Sequence, residues 1–64
     1  MSLHERIRRR RKELGISQEQ ISFDLSIDQS GYSKVERGIG KPGPAVLAKI
    51  LDYLKLEGDR DAHP

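Results

Sequence analysis

Sixty-four residues make one small domain, and with no cysteine that domain has neither a disulfide staple nor a cysteine zinc site. Thirty-four per cent of the residues are apolar, but no apolar run nears the roughly 18 residues of a membrane span, and there is no signal-peptide core. The net charge of +2 is unevenly spread: residues 1–49 hold ten Lys/Arg against six Asp/Glu, and residues 50–64 hold two against four. A basic body with an acidic end suits a polyanion met by one face, and equally a solvated surface of ordinary ion pairs. The expected setting is soluble and cytoplasmic, with no membrane partner.

Taken in chain order, the spacing is helical. Leu3, Ile7, Arg11 and Leu14 share one face of a first helix, which Gly15 closes. The run from Arg8 to Arg11 is then mostly helix surface. Glu5 with Arg9, and Arg9 with Glu13, form i,i+4 pairs that contribute only ~0.2–0.5 kcal/mol each. Ser17 opens a second helix, and Gln20 three residues later completes a capping-box pattern. Ile21 and Leu25 fall on its buried side, with Phe23 at the edge, and it runs only to about Leu25. Asp28 is a good N-cap for a third helix, which carries Tyr32 and Val35 toward the core and ends at Gly38. Gly38, Gly40, Pro42 and Gly43 mark a loop. Pro44 sits where a first helical residue belongs, and Leu47, Ile50, Leu51 and Leu54 form the apolar stripe of a fourth helix. A short fifth turn is expected near 57–61, within a polar, frayed tail at 57–64. No strand-like alternation or repeat occurs.

These elements predict an all-α fold: a compact bundle of four to five short helices over residues 1–56. Two short helices joined by a tight turn, at about 17–36, have the sequence form of a helix-turn-helix. Catalysis finds little to work with. His4 and His63 sit near opposite termini without metal-ligand spacing, and no Gly-rich phosphate loop precedes a helix. No catalytic residue, metal or cofactor is expected.

The segments Ser17-Gln18-Glu19-Gln20-Ile21 and Ser33-Lys34-Val35-Glu36-Arg37-Gly38 resemble the phage repressor and Cro-like helix-turn-helix regulators, the XRE family. The resemblance runs from about Ile7 to Leu56. It includes Arg11 four residues before Gly15, Pro42 in the loop, and Leu47-Ala48-Lys49-Ile50. It implies a lambda-repressor-like domain that lays its third helix in the major groove of double-stranded DNA, with Asp28 at the helix start. Gln29, Ser30, Ser33 and Lys34 would then face base edges or the adjoining backbone. Gln can pair bidentately with adenine, and Lys can reach guanine O6 and N7. Gln18 matches a position that touches phosphate, and Arg37, Lys41 and Arg10 would supply further phosphate contacts. Arg11 and Glu36 match a pair that ties the first helix to the third by a salt bridge. Gln18, Gln29 and Lys34 also have plain readings as helix-end or solvated residues.

Four positions depart from that family's pattern. Ser26 stands where the turn usually has Gly, and a left-handed backbone there costs about 1–2 kcal/mol. Gly31 lies inside the third helix, at about 0.8–1.0 kcal/mol relative to Ala. Arg10 occupies a place that is often apolar, and Ile39 one that is usually polar or basic. The implied function is a sequence-specific transcriptional regulator of the repressor type. It would bind a palindromic operator as a homodimer through Ile39, Tyr53, Leu54 and Leu56. The alternative is a helical protein-interaction module, or the antitoxin-like partner of a second protein, with weak DNA readout. Ile39, Gly31 and the acidic tail lean that way.

Overall fold

The computed structural model describes residues 1–56, which form four helices: α1 (Leu3–Glu13), α2 (Gln18–Asp24), α3 (Gln29–Glu36) and α4 (Pro44–Leu54). The expected turn at 57–61 lies outside the described residues. Each helix starts on a residue suited to the task. The Ser17 hydroxyl accepts from the Gln20 amide at 3.0 Å, and the Asp28 carboxylate accepts from the Gly31 amide at 3.1 Å. Gly43 precedes Pro44, the first residue of α4. The capping box expected at Ser17 is only half made, because the Gln20 side chain turns forward to donate to Asp24 at 2.9 Å. The complete box is at α1, where Ser2 and Glu5 cap each other reciprocally.

All four helices stop in one way. The chain turns through positive φ at Gly15, Ser26, Gly38 and Lys55, and the next amide folds back to a carbonyl in the last turn. At the helix-turn-helix elbow Ser26 has φ 57°, and Ile27 N–H donates to the Ser22 carbonyl at 2.8 Å. A serine therefore bears the strain that glycine would avoid.

Helix α2 packs on α3, and α1 packs on both α3 and α4. The core they enclose is Ile7, Ile21, Tyr32, Val35, Ile50 and Leu54. Leu25, Leu47, Leu51 and Leu56 lie half-buried around it. The first helix presents less apolar surface to the core than its pattern implied. Ile7 and Arg11 are buried, but Leu3 and Leu14 are both exposed. Phe23, placed at an edge by the sequence, is 79% exposed.

Candidate nucleic-acid interface

Helix α3 has a core side and an outer side. Tyr32, Val35 and Glu36 are buried. Gln29, Ser30 and Lys34 are exposed and Ser33 is half-buried, so these four of the expected reading residues are on or near the surface. Arg37 and Lys41 follow the helix, both exposed. Gly31 leaves open space: a Cβ built there meets only the Asp28 Cβ, at 4.0 Å.

The buried side of α3 is fixed by charge. Arg11 Nε donates to Glu36 Oε2 at 2.5 Å, and Arg11 Nη2 donates to Oε1 at 3.1 Å, a bidentate pair between α1 and α3. The third nitrogen, Nη1, donates to the Ile16 carbonyl at 2.7 Å, at the entry to α2. Tyr32 Oη donates to Glu36 Oε2 at 2.5 Å, and Gln18 Nε2 donates to Oε1 at 2.9 Å. One carboxylate thus joins α1, α2 and α3. Burial alone would push its pKa up. The hydrogen bonds from Arg11, Tyr32 and Gln18 outweigh that and hold Glu36 below its ordinary value. Burial raises the Tyr32 phenol, and the adjoining Glu36 carboxylate raises it further. The pair is almost dry, with side-chain exposures of 10% and 1%.

Several expected contacts are placed otherwise. Arg10 is not free for phosphate, because its Nε donates to the Leu54 carbonyl at 2.9 Å and its Nη1 pairs with Glu13 at 3.4 Å. The Arg10 guanidinium thus caps the C-terminal end of α4. Gln18 spends its amide on Glu36 and takes part in the network behind α3. Leu54, expected at a dimer surface, is fully buried and belongs to the core. Tyr53 is half-buried, and its hydroxyl donates to Asp24 at 2.5 Å, tying α4 to α2. That bond lowers the Asp24 pKa and raises that of Tyr53. Leu56 is half-buried against the core, so Ile39, 63% exposed, is the one residue of that group fully open to solvent.

Sequence reasoning missed the roles of Tyr32 Oη, the Gln18 amide, the tie between Tyr53 and Asp24, and the cap at Ser2. Two of these had a signal: Ser2 and Glu5 have capping-box spacing, and Tyr32 and Glu36 are i,i+4 neighbours. The other two join residues far apart in sequence, and nothing local announces them.

Among the described residues, no helix is long and apolar enough to cross a membrane, and no group of His, Asp or Glu could hold a metal ion. The short α2, its left-handed elbow and the polar outer face of α3 define a helix-turn-helix. The helix-turn-helix family profile matches residues 7–60, and the chain belongs to that family. It is 34% identical over 59 residues to the cryptic phage CTXphi transcriptional repressor RstR of Vibrio cholerae serotype O1. That alignment covers 92% of this chain and 53% of the relative, so the chain spans about half the length of the curated relative it matches. No solved structure matches the chain.

Proposed function

We propose that this chain is a sequence-reading double-stranded DNA-binding regulator of the repressor type, acting by occupying an operator without chemistry. One observation carries the reading. The outer face of α3 is polar and continues into Arg37 and Lys41, while its inner face is locked to α1 and α2 through Glu36. A helix held rigidly from behind can present short polar side chains to base edges at little further entropy cost. In this reading Gln29, Ser30, Ser33 and Lys34 face the bases, and Arg37 and Lys41 face phosphates. Two copies reading a palindrome would set their third helices about 34 Å apart. Ile39 is the exposed apolar residue best suited to contact the second copy.

The test is selection from random duplex DNA with the purified chain at near-physiological salt. An enriched palindrome with helical-turn spacing supports the dimeric regulator. An enriched single half-site supports DNA reading by a monomer. No enrichment by a folded protein refutes the proposal. The exposed side chains of Phe23 and Ile39 support the second reading, a protein-interaction module. Such a module should show little DNA binding even at low salt, where a groove-bound protein binds most tightly.

A further inference from the structure

The cations and the acids of this chain lie on different helices. Residues 6–12 hold six Lys/Arg and no Asp/Glu, and residues 17–33 hold three Asp/Glu and no Lys/Arg. Helix α1 therefore carries a basic outer side and α2 an acidic one. We propose that the α2 face of one copy docks on the α1 face of a second copy, with Phe23 as the knob between them.

Phe23 is the feature that asks for a partner. At 79% exposure it is the most exposed large apolar side chain among the described residues. Glu19, one turn before it, and Asp24 beside it are exposed as well. Among the described residues no cation pairs with either. Asp24 accepts from two neutral groups, the Tyr53 hydroxyl at 2.5 Å and the Gln20 amide at 2.9 Å. Two carboxylates beside the ring repel phosphate, so DNA is not what covers it.

Helix α1 offers the matching surface. Met1, Glu5, Arg8, Arg9, Lys12 and Glu13 line an open hollow of about 620 Å³. Its acids are already engaged, Glu5 with the Ser2 cap and Glu13 with Arg9 and Arg10. Arg8 and Lys12 lie one turn apart on the same face, and both are exposed. Among the described residues neither has an ion-pair partner. Met1 gives the hollow a thioether, a favourable neighbour for an aromatic ring. Arg8 and Lys12 span one turn of α1, and Glu19 and Asp24 span little more than one turn of α2. With the ring seated in the hollow, both charge pairs can form together, and an arginine against the ring adds cation–π attraction. Both halves of this complementarity belong to one chain, so the occupant is a second copy.

Neither face includes a residue of α3 or of the loop after it, so a copy held this way keeps its third helix open. On DNA, copies at neighbouring sites would steady one another, the one consequence that rests on the DNA reading above. The contact itself needs no DNA.

Faces from helices of eleven and seven residues make a small contact, at the weak end of the range. Self-association is therefore measured by sedimentation equilibrium up to about 1 mM chain, without DNA. The wild type is compared with an Ile39→Ser background, which removes any contact through Ile39. In both, association should be present at about 0.1 M salt and weaker at about 1 M, where the Debye length falls from about 10 to about 3 Å. Arg8→Glu and Glu19→Lys should each weaken it about tenfold, and Phe23→Ser about 30-fold. An equimolar mixture of the Arg8→Glu and Glu19→Lys chains should regain wild-type association, because the intact α1 of one meets the intact α2 of the other. Circular dichroism checks that each variant is folded. Where a charge reversal is not, Lys12→Gln or Glu19→Gln replaces it, and a loss of about threefold is read in place of the recovery. Monomers throughout the range in the Ile39→Ser background would overturn the proposal. So would undiminished association of the charge variants or of Phe23→Ser, or a mixture of folded reversals that stays apart. A failed DNA selection changes none of these readouts, so the two readings fail separately.

Discussion

Replacing Glu36 with Gln should remove most of the stability of this domain. The side chain keeps its shape but loses its charge, and it accepts four hydrogen bonds: two from Arg11 and one each from Tyr32 and Gln18. A glutamine amide turns an N–H₂ group toward one set of those donors. It also leaves the Arg11 guanidinium almost dry and uncompensated. Removing one partner of a buried pair costs about 3–5 kcal/mol. A chain of this length has about 3–10 kcal/mol in all. The variant should therefore be marginally folded or unfolded at room temperature, as measured by urea denaturation followed through helix circular dichroism.

A double-mutant cycle separates coupling from simple loss. Arg11→Met and Glu36→Leu should each be severe, yet the double variant should be much less destabilised than their sum, because it leaves no buried charge. It should not reach wild-type stability. The Tyr32 hydroxyl and the Ile16 carbonyl would both lose partners, at about 1–3 kcal/mol for each buried group left unsatisfied. Adding Tyr32→Phe should recover the hydroxyl's share. If Glu36→Gln costs less than about 1 kcal/mol, or the double variant is as unstable as the two singles added, the network is not the fastening that its geometry implies.

Three further outcomes are expected. The first is acid sensitivity. The folded pKa of Glu36 is depressed, so its contribution is complete above its ordinary value of 4.5 and is lost as pH falls through the lower folded value. Urea midpoints of the wild type should drop with acidification below about pH 4.5 and, in the Arg11→Met/Glu36→Leu double variant that lacks the carboxylate, drop less steeply. The second is a gain: Ser26→Gly relieves left-handed strain of about 1–2 kcal/mol at an entropic cost of about 0.5–1 kcal/mol. A net gain of about 0.5–1 kcal/mol should appear as a higher melting temperature, and a loss would show that the serine side chain has a role of its own. The third is a loss. Gly38→Ala puts a Cβ at φ +78° and 2.7 Å from the His4 ring, so it should cost more than the left-handed strain of about 1–2 kcal/mol. His4→Ala in that background should return the steric part and leave the backbone part, again read from thermal melts.

Much of the fold was legible because its signals are local. Ser17, Asp28 and Pro44 mark helix starts, and Gly15 and Gly38 mark ends, at positions where the chain does start and stop. Lys55 in a left-handed turn was not legible, since a lysine carries no such preference. The apolar pattern located Ile7, Ile21, Val35 and Ile50 in the core. It misjudged Leu3 and Leu14, because a bundle this small has too little interior to cover both ends of an eleven-residue helix. Arg10 and Leu54 were misread together. Spacing shows that an arginine and a leucine lie on their helices, but not that the guanidinium of one will reach the carbonyl of the other across 44 residues.

Why α3 is held by charge instead of by more apolar surface follows from its two duties. An eight-residue helix is too short to be stable alone, and half of its residues must stay polar and outward if it is to read DNA. Tyr32 and Val35 supply its apolar contacts, which fix depth but leave rotation about the axis and sliding along it weakly defined. The bidentate pair between Arg11 and Glu36 is directional, and Tyr32 and Gln18 complete the carboxylate's surroundings from α3 itself and from α2. A turn of the helix that kept Val35 buried would still break those bonds. The network therefore sets which residues face outward, and with them the register in which Gln29, Ser30 and Ser33 would meet the bases. Tyr32→Phe takes one donor from the carboxylate and leaves those of Arg11 and Gln18, so at temperatures where the variant stays folded it should blunt discrimination between duplexes more than it lowers affinity for all of them.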